Sequence, residues 1–170
     1  MKRIAILSDT HSFIDSKITN ITSNCDEIWH AGDFGHGNLI EDFIENNHIK
    51  IKAVYGNIDG SYIRSKYSKH KHFKCEGFQI LITHIGGKPN SYNNYTNELI
   101  KKIKPNIFIT GHSHILKILQ DKMNNLTYIN PGAAGKEGIH KVRTVVLITL
   151  HKKTIQKMEV VEIGKQSHLS

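Results

Sequence analysis

Five strand-length apolar runs recur along the chain, and each leads into a side chain that can hold a metal ion. Ile4-Ala5-Ile6-Leu7-Ser8 leads to Asp9-Thr10-His11, and Ile28-Trp29-His30-Ala31-Gly32 leads to Asp33. Ile51-Lys52-Ala53-Val54-Tyr55-Gly56 leads to Asn57, and Gln79-Ile80-Leu81-Ile82-Thr83 leads to His84. Asn106-Ile107-Phe108-Ile109-Thr110-Gly111 leads to His112-Ser113-His114. Runs this short and rich in isoleucine and valine read as buried strands. In open α/β sheets, sites lie beyond the carboxyl ends of such strands. The pattern therefore aims oxygen and nitrogen donors at one edge of a sheet.

Helical segments alternate with the early strands. Asp15 is placed to cap a helix over 17–24, and Asn38 to cap one over 39–47 whose Leu39, Ile40, Phe43 and Ile44 share a face. A third helix is expected over about 96–102, ended by Lys104-Pro105 because the residue before proline avoids helical angles. Glu76-Gly77 marks a tight turn between strands 71–75 and 78–83. Beyond His114 the pattern turns to strands, over 116–121, 126–129, 142–150 and 154–163, with hairpin turns at Asn124-Asn125 and Lys152-Lys153. Two sheets packed face to face with helices outside would bury all these runs. The expected fold is a four-layer α/β/β/α sandwich of two mixed β-sheets flanked by helices, with residues 1–170 as one domain.

Composition narrows the function classes. At 38% hydrophobic and 22% charged residues the chain is ordinary for a globular protein. Its apolar stretches fall far short of the roughly 20 residues that span a bilayer. Lys2-Arg3 before the first run is a poor match to a signal peptide, because Ser8-Asp9 ends the apolar part early. A cytoplasmic location is expected, with Cys25 and Cys75 as reduced, inert thiols. The net charge of +8 reflects heavy lysine use; its dense cluster, Lys66, Lys69, His70, Lys71, His72 and Lys74, reads as a solvated loop and strand start. Nucleic acid is not expected as a partner except as substrate, and homo-oligomerisation is left open.

Taken singly, the donors are weak signals. With 12 histidines in the chain, an acid two residues before one arises by chance about once. Asp33 or Asn57 could belong to a turn, and His84 to a satisfied core. Gly111-His112-Ser113-His114 is stronger, since two histidines one residue apart can reach neighbouring ions. What sets the group apart is that the donors agree in type, order and position at strand ends. Mixed imidazole and oxygen donors without thiolates suit Mn²⁺, Fe²⁺, Ni²⁺ or Zn²⁺ in a reactive rather than a purely structural site. Enough donors are present for two ions, an arrangement associated with phosphoester hydrolysis.

The order Asp-x-His, Gly-Asp, Gly-Asn, His, Gly-His-x-His resembles the signature of the calcineurin-like metallophosphoesterases, most closely their small YfcE-like phosphodiesterase branch. Vps29 of the retromer shares that fold. The likeness runs from Asp9 to about Leu150, and Asn130-Pro131-Gly132-Ala133 resembles the branch's Asn-Pro-Gly-Ser loop. The resemblance implies one ion held by Asp9, His11 and His114. It implies a second held by Asn57, His84 and His112, with Asp33 bridging. It further implies hydrolysis of a small phosphodiester by a hydroxide activated between two divalent ions, Mn²⁺ by expectation, with Asp33, Asn57 and His84 essential to turnover. A phosphomonoesterase or nucleotidase, and a non-catalytic scaffold of the Vps29 type, are the competing functions. Two departures stand out. Ile58-Asp59 follows Asn57 where the wider superfamily has a histidine, which leaves His36, Asp59, His140 or simply a metal-bound water as candidates to protonate the leaving group. Ile85 follows His84 where many relatives have glycine, so the loop beyond that ligand, and access to the centre, are expected to differ.

Overall fold

The computed structural model describes residues 1–166. The last four residues of the expected 1–170 domain lie outside it. The chain begins β1 (Lys2–Leu7), α1 (Ser16–Thr22), β2 (Glu27–His30), α2 (Asn38–Glu45), β3 (Lys50–Ala53) and α3 (Ser61–Lys66). It continues β4 (His70–Cys75), β5 (Phe78–Thr83), β6 (Gly87–Lys88), β7 (Ser91–Tyr92), α4 (Asn94–Ile103) and β8 (Ile107–Ile109). It closes with β9 (Lys117–Asp121), β10 (Leu126–Asn130), β11 (Val142–His151) and β12 (Thr154–Lys165).

Ten of these strands form two mixed five-stranded sheets, each built on three parallel strands, and β6 and β7 pair as a separate hairpin. The first runs β12-β11-β1-β2-β3 and the second β4-β5-β8-β10-β9. In the first, β1, β2 and β3 are mutually parallel and β11 and β12 are antiparallel additions. In the second, β5, β8 and β10 are parallel, flanked by antiparallel β4 and β9. Every sequence-predicted donor lies just past the carboxyl end of one of these parallel strands.

The period-two alternation of strands explains how both faces are filled. Ile4, Ile6, Trp29, Val146 and Ile148 of the first sheet pack on Ile80, Ile82, Ile107, Ile109 and Ile129 of the second. Their neighbours Ala5, Leu7, Ile28, Val145 and Leu147 face the other way, onto Ile18 of α1 and Phe43 of α2. Leu81, Phe108 and Tyr128 of the second sheet meet Ile100 of α4. Two mixed sheets with helices outside are thus what the alternating runs require.

Local details depart from expectation in places. Asp15 caps α1 by accepting from the Ile18 N–H, as its position predicts. Asn38, by contrast, is the first residue of α2, and Gly37 occupies the cap. Asn93 caps α4, which ends at a left-handed Lys104 before Pro105. The helix α3 and the small hairpin β6–β7 were not anticipated. The basic cluster falls mainly on β4, an edge strand, where charged side chains discourage pairing with other chains. At the sheet end away from the donors, Glu27 is buried, pairs with Lys2 and Lys52 and accepts from Trp29 Nε1. Cys25 and Cys75 are free and buried.

Candidate metal centre

Left-handed backbone aims the donors. Asp9, His11, Asp33, His112 and His114 all have φ between 46° and 67°. This region is costly for most residues and least so for Asn, Asp and His. The strands end there, and the chain turns sharply enough to point side chains over the sheet edge. Neighbouring loops then zip together. Asp9 N–H donates to Gly32 O (3.0 Å), His11 N–H to Asp33 O (3.1 Å) and Gly111 N–H to His84 O (3.0 Å). Close approach demands small residues: a Cβ on Gly56 would lie 2.0 Å from Asp33 Oδ1, and one on Gly111 would lie 2.9 Å from Asp9 Oδ2. Asn130 clamps the last loop by donating to Gly111 O (2.9 Å) and Ser113 Oγ (3.0 Å).

All seven predicted donors come to this edge, in two groups. Asp9, His11 and His114 have donor atoms within 4.8 Å of one another, as do Asp33, His84 and His112. Asn57 joins the second group, its Oδ1 3.0 Å from His84 Nε2. Asp33 touches both: its Oδ2 is 3.5 Å from His11 Nε2 and 3.2 Å from His84 Nε2. Each group contains an edge-to-face histidine pair, His11–His114 at 5.2 Å and His84–His112 at 5.3 Å between centroids.

The donor chemistry fits cations. His84 Nδ1 lies 2.8 Å from Ala31 O, so Nδ1 carries the proton and donates. That leaves Nε2 facing Asn57 Oδ1 and Asp33 Oδ2, three electron-rich atoms converging with nothing positive between them unless a proton or a cation is added. In the first group, buried Asp9 Oδ1 and His11 Nε2 have no hydrogen-bond partner. Such atoms are costly to leave unmet. Without ions, protons fill the role. The carboxylates of Asp33 and Asp9 beside it, which a protonated ring would meet, push His11 up to about 10. Burial opposes ionisation of Asp9 and Asp33, but His11 with His114, and His11 with His84, hold the two carboxyls below the usual carboxylate range. Burial also works against a charged His84, and Asp33 outweighs it, raising its pKa.

Other residues around the centre, including the three candidate proton donors, sit in different roles. Both oxygens of Asp59 are engaged by backbone, accepting from Asp33 N–H (3.0 Å), Gly35 N–H (2.9 Å) and Gly56 N–H (2.7 Å). It ties the Asp33 and Asn57 loops together rather than facing a leaving group. His36 is exposed. His140 is buried, donates from Nε2 to Gly135 O (3.1 Å) and meets the His114 ring edge-on at 5.3 Å. Arg143 is buried and bonded to Ala134 O and Asp15, so it joins α1 to the β10–β11 connection. One contributor escaped sequence reasoning altogether. His30 is fully buried and stacked on Phe34, and burial lowers its pKa to about 3. Gly32 N–H donates to its Nδ1, so Nε2 donates to Thr10 Oγ1, which in turn donates to Phe34 O. This relay fixes Thr10 between Asp9 and His11. A histidine inside an apolar run gave no sequence signal of that duty.

The model of the calcineurin-like phosphoesterase superfamily domain matches residues 1–153. The chain belongs to that superfamily. Solved phosphoesterase-fold structures agree in architecture. A predicted phosphoesterase from Streptococcus pneumoniae superposes with a TM-score of 0.68 at 16% identity, covering 95% of this chain and 89% of that one. An archaeal phosphodiesterase gives 0.67 at 23% identity over 94% and 99% of the two chains. Vps29 of Chaetomium thermophilum gives 0.73 at 14% identity over 97% and 100%. Comparison with curated proteins found no match. Membership of the superfamily implies divalent metals, and the two His/Asp groups are where this chain could take them. Among the described residues, no helix is long and apolar enough to cross a membrane.

Proposed function

We propose that this chain is a divalent-metal-dependent phosphodiesterase. The observation that carries the reading is Asp33 Oδ2, within 3.5 Å of a histidine nitrogen from each donor group. Asp9, His11 and His114 would hold one ion, Asn57, His84 and His112 the other, and Asp33 would belong to both. Mn²⁺ is the expected metal, with Fe²⁺, Ni²⁺ or Zn²⁺ suited to the same donors. Bound, the pair would supply an acidified water as nucleophile and neutralise phosphate charge. The protein's part is positional. Ala31 O fixes the His84 tautomer, Asp59 holds the Asp33 and Asn57 loops at one spacing, and Asp9 Oδ2 accepts from His112 N–H (3.1 Å), joining the two groups. Preorganisation of this kind lets donors act without rearranging. With no histidine after Asn57 to assist a monoester, diesters are the favoured substrates over phosphomonoesters.

The test is turnover of bis-p-nitrophenyl phosphate by protein stripped of metal and then reloaded with Mn²⁺. Activity that appears only on reloading, and vanishes in Asp33→Ala while circular dichroism is unchanged, supports the reading. Full activity after thorough chelation would sink it. A reloaded protein that binds metal but hydrolyses no phosphoester would favour a scaffold like Vps29, with which it shares its fold.

A further inference from the structure

Two cavities of unlike character flank the centre. One, of about 280 Å³, opens beside Asn57 and His84 and is lined by Tyr55, Tyr95, Arg64 and Lys69, with Ile85 between it and the other. The other, of about 390 Å³, opens beside His112 and is lined by Ile85, Ile115 and Tyr128, with Lys88 and Lys117 at its border. Ile85 and Ile115 each directly follow a donor histidine, yet are 47% and 59% exposed. Large aliphatic side chains left open beside a reactive centre mark a surface meant to be covered by something apolar.

The second groove is built, not incidental. Its outer wall is the β6–β7 hairpin, held by Tyr128 OH donating to Gly87 O (2.9 Å), Gly86 N–H to Thr110 Oγ1 (3.1 Å) and Asn93 Nδ2 to Ile85 O (2.7 Å). Lys88 and Lys117 form no ion pair among the described residues. Unpaired cations beside an aliphatic trough complement an anionic amphiphile.

We propose that the substrate is an amphiphilic phosphodiester whose alkyl or acyl arm lies in the groove between Ile85 and Ile115. This rests on the phosphodiesterase reading above. The phosphate sits over the donor groups, the apolar arm runs along the groove, and the more polar arm enters the cavity beside Asn57. The groove shares His112 with the centre, so the arm and the reacting phosphorus are contiguous.

The test uses Mn²⁺-loaded full-length protein and methyl, butyl and octyl p-nitrophenyl phosphates. A fully buried methylene contributes up to about fourfold. kcat/KM is expected to rise at least tenfold from methyl to butyl and again toward octyl, and Ile85→Ser/Ile115→Ser to flatten that slope. Calorimetric binding of octyl phosphate against methyl phosphate gives a readout independent of turnover. Octyl phosphate is expected to bind more tightly, with a negative heat-capacity change that the double variant reduces. Equal binding of the two, or a flat wild-type series, overturns the inference. So does tighter binding of AMP than of octyl phosphate, weakened by the same substitutions, which would assign the groove to a nucleoside. If no diester is turned over, the phosphodiesterase reading fails, and chain-length-dependent binding of the alkyl phosphates still decides the groove.

Discussion

Each sheet is built on three parallel strands, but the two bring different chemistry to their common edge. The first delivers Asp9, Asp33 and Asn57 with one imidazole, His11; the second delivers imidazoles alone, from His84, His112 and His114. All the negative charge of the centre therefore sits on one sheet. The other offers ligands that are neutral once deprotonated. Each donor group draws from both sheets, so a bound ion would bridge them where the sandwich core ends. The opposite end of the first sheet solves a charge problem without metal: Glu27 is buried there against Lys2 and Lys52.

The comparison makes Asp33 and His84 unequal. Asp33→Ala removes a charge shared by both groups, so turnover should fall by about a thousandfold or more and both ions should be lost. His84→Ala should leave one ion bound. Elemental analysis of the two variants, beside their turnover, checks this; equal metal loss would erase the distinction between the sheets.

At the other end, Glu27→Ala should destabilise the fold by about 3–5 kcal/mol, because it strands buried Lys52. Denaturant melts measure it. Burial works against Glu27, but Lys2 and Lys52 overcome that and hold its carboxyl below the usual 4.5. Its stabilising contribution is thus full above pH 4.5 and is lost as pH falls through the folded value. Glu27→Gln should blunt that acid limb.

If ions bridge the sheets, Mn²⁺ at 100 times its dissociation constant should add about 2.7 kcal/mol per ion, read as a rise in Tm that Asp33→Ala abolishes. A smaller effect tests the protons that stand in for cations. His11, raised to about 10 in the metal-free chain, stabilises that form fully below its ordinary 6.5 and loses the contribution as pH rises through the raised value. Metal uptake near pH 7.5 should therefore be accompanied by proton release, with His11 a contributor. Calorimetry in two buffers of different ionisation enthalpy would expose it, and His11→Ala should reduce it.

The parallel strands were legible in the sequence because burial on both faces leaves unbroken aliphatic runs, and the donor positions because they directly follow those runs. Short elements stabilised by tertiary contact were not. The helix α3 carries one buried residue, Ile63, which packs with Phe34, Ile40 and Ala53 from distant segments. Asp59 looked like a candidate acid in sequence, since nothing there reveals that three backbone N–H groups converge on it. Arg143 carries no local mark of its role, and only the fold brings Asp15, 128 positions away, to meet it. His30 was silent for the same reason: its role depends on the partners that the loops around Thr10 and Gly32 provide.

The left-handed turns at Asp9, His11, Asp33, His112 and His114 also govern how this site can diverge. Backbone geometry filters replacements there before chemistry does: asparagine and glycine enter cheaply, whereas valine or isoleucine strains the loop. A lineage abandoning catalysis would therefore drift first toward Asn and Gly at these positions, keeping the architecture intact while its affinity for ions decays.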